Sequence, residues 1–260
     1  MPTPDLKPGS PCWIDLMTSD TAKSRDFYGQ LFGWEFQEGD QETYGGYIVA
    51  TRNGQNVGGI MAKQEDQQAM PDMWSTYLKS DDAAATSATV QASGGQVFME
   101  PMEVPEQGVM GFVADPSGAT IGIWESKGMP GFGVAAEPGA PAWHELHTKD
   151  YDAAVKFYQD VFNWHTDVMS DSPDLRYTTL GKDDTAQAGI IDASGYLPEE
   201  IPSHWAVYFA VADADATIAS AVAMGATVLD GPENSPFGRV ATLNDPTGAM
   251  FKIVGENTPE

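Results

Sequence analysis

Basic residues are scarce in this chain of 260: 13 Lys and Arg face 38 Asp and Glu, a formal net charge of −25. A surface so acidic repels phosphate backbones and anionic lipid, and no basic patch with interleaved aromatics interrupts it, so neither nucleic acid nor membrane is an expected partner. Cysteine is nearly missing. The single Cys12 excludes an intrachain disulfide framework, and no activating base stands near it in sequence, so a small buried thiol is expected rather than a nucleophile. No apolar run approaches the roughly 20 residues of a membrane span. The opening MPTPDLKPGS also carries no apolar segment of signal-peptide type, and a cytoplasmic location is expected. Histidine is rare and lopsided, with all four residues (His144, His147, His165 and His204) in the second half.

A repeat is present. Shifted by 130 residues, Pro11 to Trp34 aligns on Pro141 to Trp164 with nine identities, among them Trp13/Trp143, Asp20/Asp150, Phe27-Tyr28/Phe157-Tyr158 and Trp34/Trp164. Tyr47 aligns with Tyr177, Gly59-Ile60 with Gly189-Ile190, and Asp115-Pro-Ser-Gly-Ala119 with Asp245-Pro-Thr-Gly-Ala249. Trp74 and Tyr77 match Trp205 and Tyr208 after a slip of one position. Such self-similarity marks a duplication. The expected organisation is a tail at 1–9, one domain at 10–126, a Gly/Pro-rich linker at 127–139, and a second domain at 140–260.

Each half reads as α+β. Trp13 to Thr18 alternates as a half-buried strand, and Asp20 is a good N-cap for a helix carrying Phe27, Tyr28, Leu31 and Phe32 mainly on one face. Gly33, and Asn163 in the second half, suit a left-handed helix stop. Strands are expected at 34–38, 44–51 and 57–62. The cycle then restarts with a strand at 74–79, an alanine-rich helix at 82–92, and strands at 96–100, 109–114 and 120–125. Asp115-Pro116-Ser117-Gly118 fits a type I turn. Each half therefore holds two βαβββ units.

These motifs, in this order and twice, resemble the glyoxalase/bleomycin-resistance/dioxygenase (vicinal-oxygen-chelate) superfamily over residues 10–126 and 140–256. The Trp-Ile-Asp-Leu and Trp-His-Glu-Leu openings with FGW-like helix ends look like a bacterial two-domain subgroup that includes a mycobacterial antigen. The resemblance implies a half-open curved sheet per domain, whose concave face holds a divalent metal and substrate in catalytic members. It also implies where the ligands would fall: Trp13 and Trp143 on the first strand, Ser75 and Ala206 on the second unit's first strand, Gly122 and Lys252 on the last strand, and a stretch at 57–61 or 188–191. None is a good ligand, where a catalytic site wants about three. No cofactor is expected at the family positions.

Strand alternation places Trp143, Glu145 and His147 on one face. Glu145 and His147 could act as an acid/base pair or supply two ligands to a displaced divalent metal. Trp13, Asp15, Tyr47, Trp143 and Tyr177 are expected to line ligand pockets, with tyrosine hydroxyls as polar handles. The expected function is binding of a small hydrophobic or aromatic molecule in a concave pocket by a monomer or homodimer. The alternative is a metal-dependent glyoxalase-like lyase or extradiol-type dioxygenase centred near Glu145 and His147.

Overall fold

The computed structural model describes residues 4–258. The first half runs β1 (Pro11–Thr18), α1 (Thr21–Phe32), β2 (Glu35–Glu38), α2 (Gln41–Tyr44), β3 (Ile48–Arg52) and β4 (Gln55–Ala62). Its second unit adds β5 (Met73–Ser80), α3 (Ala83–Val90), β6 (Gln96–Val104), β7 (Gly108–Ala114) and β8 (Thr120–Ser126). The second half repeats this as β9 (Pro141–Thr148), α4 (Tyr151–Phe162), β10 (Thr166–Ser172), β11 (Leu175–Leu180) and β12 (Ala188–Asp192). It closes with β13 (His204–Ala210), α5 (Ala214–Ala223), β14 (Thr227–Ser235), β15 (Gly238–Asn244) and β16 (Met250–Gly255). Each half forms one eight-stranded sheet, ordered β2-β3-β4-β1-β5-β8-β7-β6 and β10-β11-β12-β9-β13-β16-β15-β14. The opening strands of the two units, β1 with β5 and β9 with β13, lie side by side at the centre of each sheet and antiparallel. This is the expected α+β tandem.

Local signals act as the sequence predicts. Asp20 accepts a hydrogen bond from the Lys23 amide at 2.9 Å, and the first helix stops at Gly33 with φ of 70°. Asn163 ends α4 in the same left-handed conformation, with φ of 55°. In the DPxG turns the Gly118 and Gly248 amides bond back to Asp115 and Asp245. One expected strand is shorter: residues 41–44 form a helical turn capped by Asp40, and two left-handed glycines, Gly45 and Gly46, turn the chain before β3 begins at Ile48. A tyrosine and a threonine gave that segment strand propensity, but the cap and the glycines decide it.

The helices pack on the sheet of their own half and also against a helix of the other, α1 on α5 and α3 on α4, so the cores cross the duplication. One core joins Ile14, Leu16, Phe27, Tyr28 and Phe32 of the first half with Phe209, Phe251 and Ile253 of the second. The other joins Tyr158, Phe162 and Ile190 of the second half with Leu78, Ile121 and Ile123 of the first. Polar ties follow the same exchange. Tyr28 donates to the Asp245 carboxylate at 3.0 Å and Tyr158 to Asp115 at 3.2 Å, while Trp74 and Trp205 donate to those two tyrosines. Trp34 Nε1 reaches the Gly139 carbonyl, and Trp164 Nε1 reaches that of Gly9. The Phe-Tyr, Trp and DPxGA motifs of the repeat are thus the seam between the halves.

The segment 127–139 is not a loose tether. Phe132 and Val134 are buried, the Phe132 amide donates to the Cys12 carbonyl, and the Phe132 ring lies between Trp13 and His144, at 5.9 and 5.8 Å between centroids. A Gly/Pro-rich stretch can lie flat against a sheet for the same reason that it can serve as a flexible tether: small side chains permit close backbone approach.

Candidate functional site: a shared frame with two fillings

Both halves place the same four-residue frame on the centre of the sheet. In the second half Tyr177 donates to Glu145 Oε1 at 2.7 Å, Tyr208 donates to Glu145 Oε2 at 2.7 Å, and Trp143 Nε1 donates to the Tyr177 hydroxyl at 3.0 Å. In the first half Trp13 Nε1 donates to Tyr47 at 2.7 Å and to Asp15 Oδ1 at 3.0 Å, and Tyr47 makes a short hydrogen bond to Asp15. Tyr77 also turns its hydroxyl toward Asp15, without the alignment of a good hydrogen bond. Period-2 alternation puts the tryptophan and the acid on one face, and pairing adds the tyrosines: Trp13 stands opposite Tyr77, and Trp143 opposite Tyr208. Glycine is required at 59 and 189 because a Cβ there would overlap the hydroxyls of Tyr47 and Tyr177.

The register corrects one sequence expectation. Ser75 and Ala206 pair with Asp15 and Glu145, so the residues beside Trp13 and Trp143 on the neighbouring strand are Tyr77 and Tyr208. The last strand then completes the row with Gly122 and Lys252. The offset is two residues, from Ser75 to Tyr77 and from Ala206 to Tyr208, which keeps the side chain on the same face and moves it one pair along the strand.

Around the frame the halves diverge. Opposite one another, β1 and β5 carry Met17 and Met73, where β9 and β13 carry His147 and His204. Gly122 pairs with Phe112, whose ring packs edge-on against Tyr77 at 5.1 Å; Lys252 pairs with Thr242 and sets its ammonium 5.1 Å over the Tyr208 ring. The first site is consequently filled, with Trp13 at 3% and Tyr77 at 2% exposure. Trp143, Tyr208, His204 and Lys252 are only half-buried, and Tyr196, at 54% exposure, stands at the edge.

The second site is a linked set of ionisable groups. His147 Nε2 lies 3.0 Å from Glu145 Oε2 but off the line of a good hydrogen bond, while its Nδ1 meets the Tyr196 hydroxyl at 2.8 Å. His204 stacks on His147 with centroids 5.2 Å apart and planes 8° from parallel, its Nδ1 donating to the Pro202 carbonyl. Burial pushes the Glu145 carboxyl up, but His147, Tyr208 and Tyr177 outweigh it and hold the pKa at about 2. In the first half burial of Asp15 prevails over its hydrogen bonds and raises its pKa. Burial lowers the pKa of both His204 and Lys252.

Of the sequence-predicted residues, Trp143, Glu145, His147 and Tyr177 come together in one site, and Trp13, Asp15 and Tyr47 in the other. Reading the sequence alone passed over His204 as an ordinary histidine, Tyr196 altogether, and Lys252 except as a lost ligand. The 130-residue offset held the signal for Lys252, since it exchanges for glycine. His144 faces away, buried against Thr76 of the first half at 3.1 Å, and burial depresses its pKa to about 3. Cys12 is fully buried, with burial raising its pKa.

The donor set does not fit the family's metal. Along the row a metal would occupy stand a tryptophan, a tyrosine and either glycine or an ammonium, and a buried ammonium repels a divalent cation. Both Glu145 oxygens already accept hydrogen bonds, and among the described residues no group of three His, Cys, Asp or Glu side chains is arranged to hold a metal ion. A cleft of about 310 Å³ opens elsewhere, at the domain boundary between Leu31, Arg52, Gly139 and Ala216. Its Arg52 is engaged by the Phe32 carbonyl and its Asp213 by the cap of α5, so the ionisable face of the second half is the better candidate for chemistry.

The chain belongs to the glyoxalase/bleomycin resistance protein/dioxygenase superfamily, whose model matches residues 12–123 and 141–253. It is 36% identical over 253 residues to a Mycobacterium tuberculosis protein named "Putative glyoxylase CFP32", covering 96% of each chain. It is 34% identical over 272 residues to the anthracycline biosynthesis protein DnrV of Streptomyces peucetius, covering 95% of this chain and 93% of that one. Among solved structures, the fold resembles the Mn(II)-bound glyoxalase from Novosphingobium aromaticivorans with a TM-score of 0.65 at 17% identity, covering 97% of this chain and 83% of the other. It also resembles the 2,3-dioxygenase LapB from Pseudomonas sp. KL28 with a TM-score of 0.63 at 16% identity, covering 98% and 94%. Among the described residues no helix is long and apolar enough to cross a membrane.

Proposed function

We propose that the second half of this chain binds a small planar aromatic molecule between Trp143 and Tyr208, with the ligand's polar edge toward Glu145 and His147 and without the family's metal. One observation carries the reading: of two sites built on the same frame, only this one leaves its aromatic walls half-open and surrounds them with ionisable groups. Indole and phenol faces offer stacking area, while the fixed hydrogen bonds of Glu145 keep the polar groups in place before a ligand arrives. The relative named for anthracycline biosynthesis is consistent with this ligand class, because anthracyclines are planar polycyclic aromatics. With a net charge of −25, a small molecule is a better partner than nucleic acid or membrane.

Thermal unfolding with a panel of catechols, naphthoquinones and anthraquinones, with and without EDTA, tests the reading. A ligand of the native state must raise the melting temperature. We expect a stabilising anthraquinone whose effect is unchanged by EDTA, about tenfold weaker binding in Trp143→Ala, and little change in Trp13→Ala. Failure of every panel member to stabilise the chain would overturn it.

A metal-dependent lyase or dioxygenase using Glu145 and His147 is supported by their 3.0 Å approach and by the relative named as a glyoxylase. Elemental analysis of protein purified without chelator decides between the two. Near-stoichiometric metal that disappears in His147→Ala would replace the metal-free reading.

A further inference from the structure

Lys252 has more unused hydrogen-bonding capacity than any other group of the second site among the described residues. Its ammonium carries three donors, yet among those residues it forms neither a hydrogen bond nor an ion pair, and it sits over the face of Tyr208. It lies half-buried on an interior strand, in line with Tyr208 and Trp143. Nothing in packing requires an ammonium here, because the first half solves the same position with Gly122 covered by Phe112 and Tyr77. Glu145, Asp230 and Glu233 act on it only through space, none as an ion pair, and Glu145 is already held by Tyr177 and Tyr208 with His147 beside it.

We infer that Lys252 is the anchor for an anionic oxygen, a carboxylate or an ionised phenol or enol, on the aromatic molecule held at this face. The inference rests on the aromatic reading of the site and adds the ligand's charge. Where the family's last strand supplies a carboxylate to a metal that in turn holds substrate oxygens, this chain presents a cation to the oxygen directly. His147 Nε2, buried and without a well-aligned partner, faces Glu145 on the same side of the sheet.

The probes are anthraquinone-2-carboxylate and the neutral, nearly isosteric anthraquinone-2-carboxamide, titrated calorimetrically against the full chain at pH 7.5. A charge-assisted hydrogen bond is stronger than a neutral one by an amount corresponding to about a tenfold difference in affinity. We expect the carboxylate to bind about tenfold tighter than the carboxamide, with Lys252→Met abolishing that preference and leaving the carboxamide within about twofold. Lys252→Arg, which keeps the charge, is expected to retain most of it. A carboxamide that binds wild-type protein as well as the carboxylate, or a preference that survives Lys252→Met, overturns the inference while leaving the aromatic site intact. Binding of neither probe overturns the aromatic reading itself.

Discussion

The two halves of this chain carry one frame and two fillings. Trp13, Asp15, Tyr47 and Tyr77 repeat as Trp143, Glu145, Tyr177 and Tyr208, yet the first set is closed by Met17, Met73 and Phe112, and the second is flanked by His147, His204 and Lys252. Duplication supplies two equivalent faces, and a single open one is enough for the binding proposed above. The other is free to become core, and apolar filling is the physically cheap way to do so, since methionine and phenylalanine bring no polar group that must find a partner. The buried acid in each half reports the difference. Glu145 is surrounded by donors that favour its charge, whereas Asp15 is dominated by burial that opposes it.

The largest test of the comparison concerns what the halves share rather than where they differ. Because each hydrophobic core mixes helix and strand residues of both halves, chains 1–126 and 140–260 expressed separately are expected to lack cooperative unfolding transitions. The intact chain should show a single one. Two independently folded halves, visible as two dispersed NMR spectra, would refute the mixed-core account.

Next in size is the buried acid. Glu145→Ala leaves His147 and two tyrosine hydroxyls without their acceptor and is expected to cost about 3 kcal/mol in denaturant unfolding at pH 7. Asp15→Asn, at the corresponding place, is expected to cost far less or to stabilise. The pH dependences should have opposite signs. The Glu145 pKa falls from 4.5 to about 2 on folding, so its contribution is fully present above about 4.5 and disappears as pH falls toward about 2. The Asp15 pKa is raised, so its ionisation opposes folding at neutral pH and that penalty is relieved on acidification. Comparing the acid limbs of the wild-type, Glu145→Gln and Asp15→Asn stability curves separates the two. Equal and parallel losses in both variants would erase the proposed contrast.

The smallest expected effects are the symmetric ones. Tyr28→Phe and Tyr158→Phe each remove a donor from a buried DPxG aspartate of the other half, and each should cost about 1 kcal/mol. Similar values from chemical denaturation would show that the seam is shared evenly. A marked inequality would mean that one half anchors the other.

Much was legible in the sequence because it depends on neighbours along the chain. The caps at Asp20 and Gly33, the DPxG turns, the alternation that sets Glu145 beside His147, and the 130-residue repeat are all local or self-referential signals. His204 and Lys252 were not legible as site residues, because they join the site through strand pairings, His204 with His147 and Lys252 with Tyr208, that span 57 and 44 positions (204 − 147 and 252 − 208) and whose register the sequence does not display. The seam was invisible for a related reason: Tyr28 reads as an ordinary core residue of its own helix until Asp245, 217 positions away, accepts a hydrogen bond from its hydroxyl. By itself the sequence determined the superfamily and the duplicated α+β architecture, since these follow from residue type and short-range order. Only the tertiary structure decided that the cores are exchanged between the halves and that one of two matching faces stayed open, because long-range register and the volume of the neighbours filling each face are properties of the packed chain.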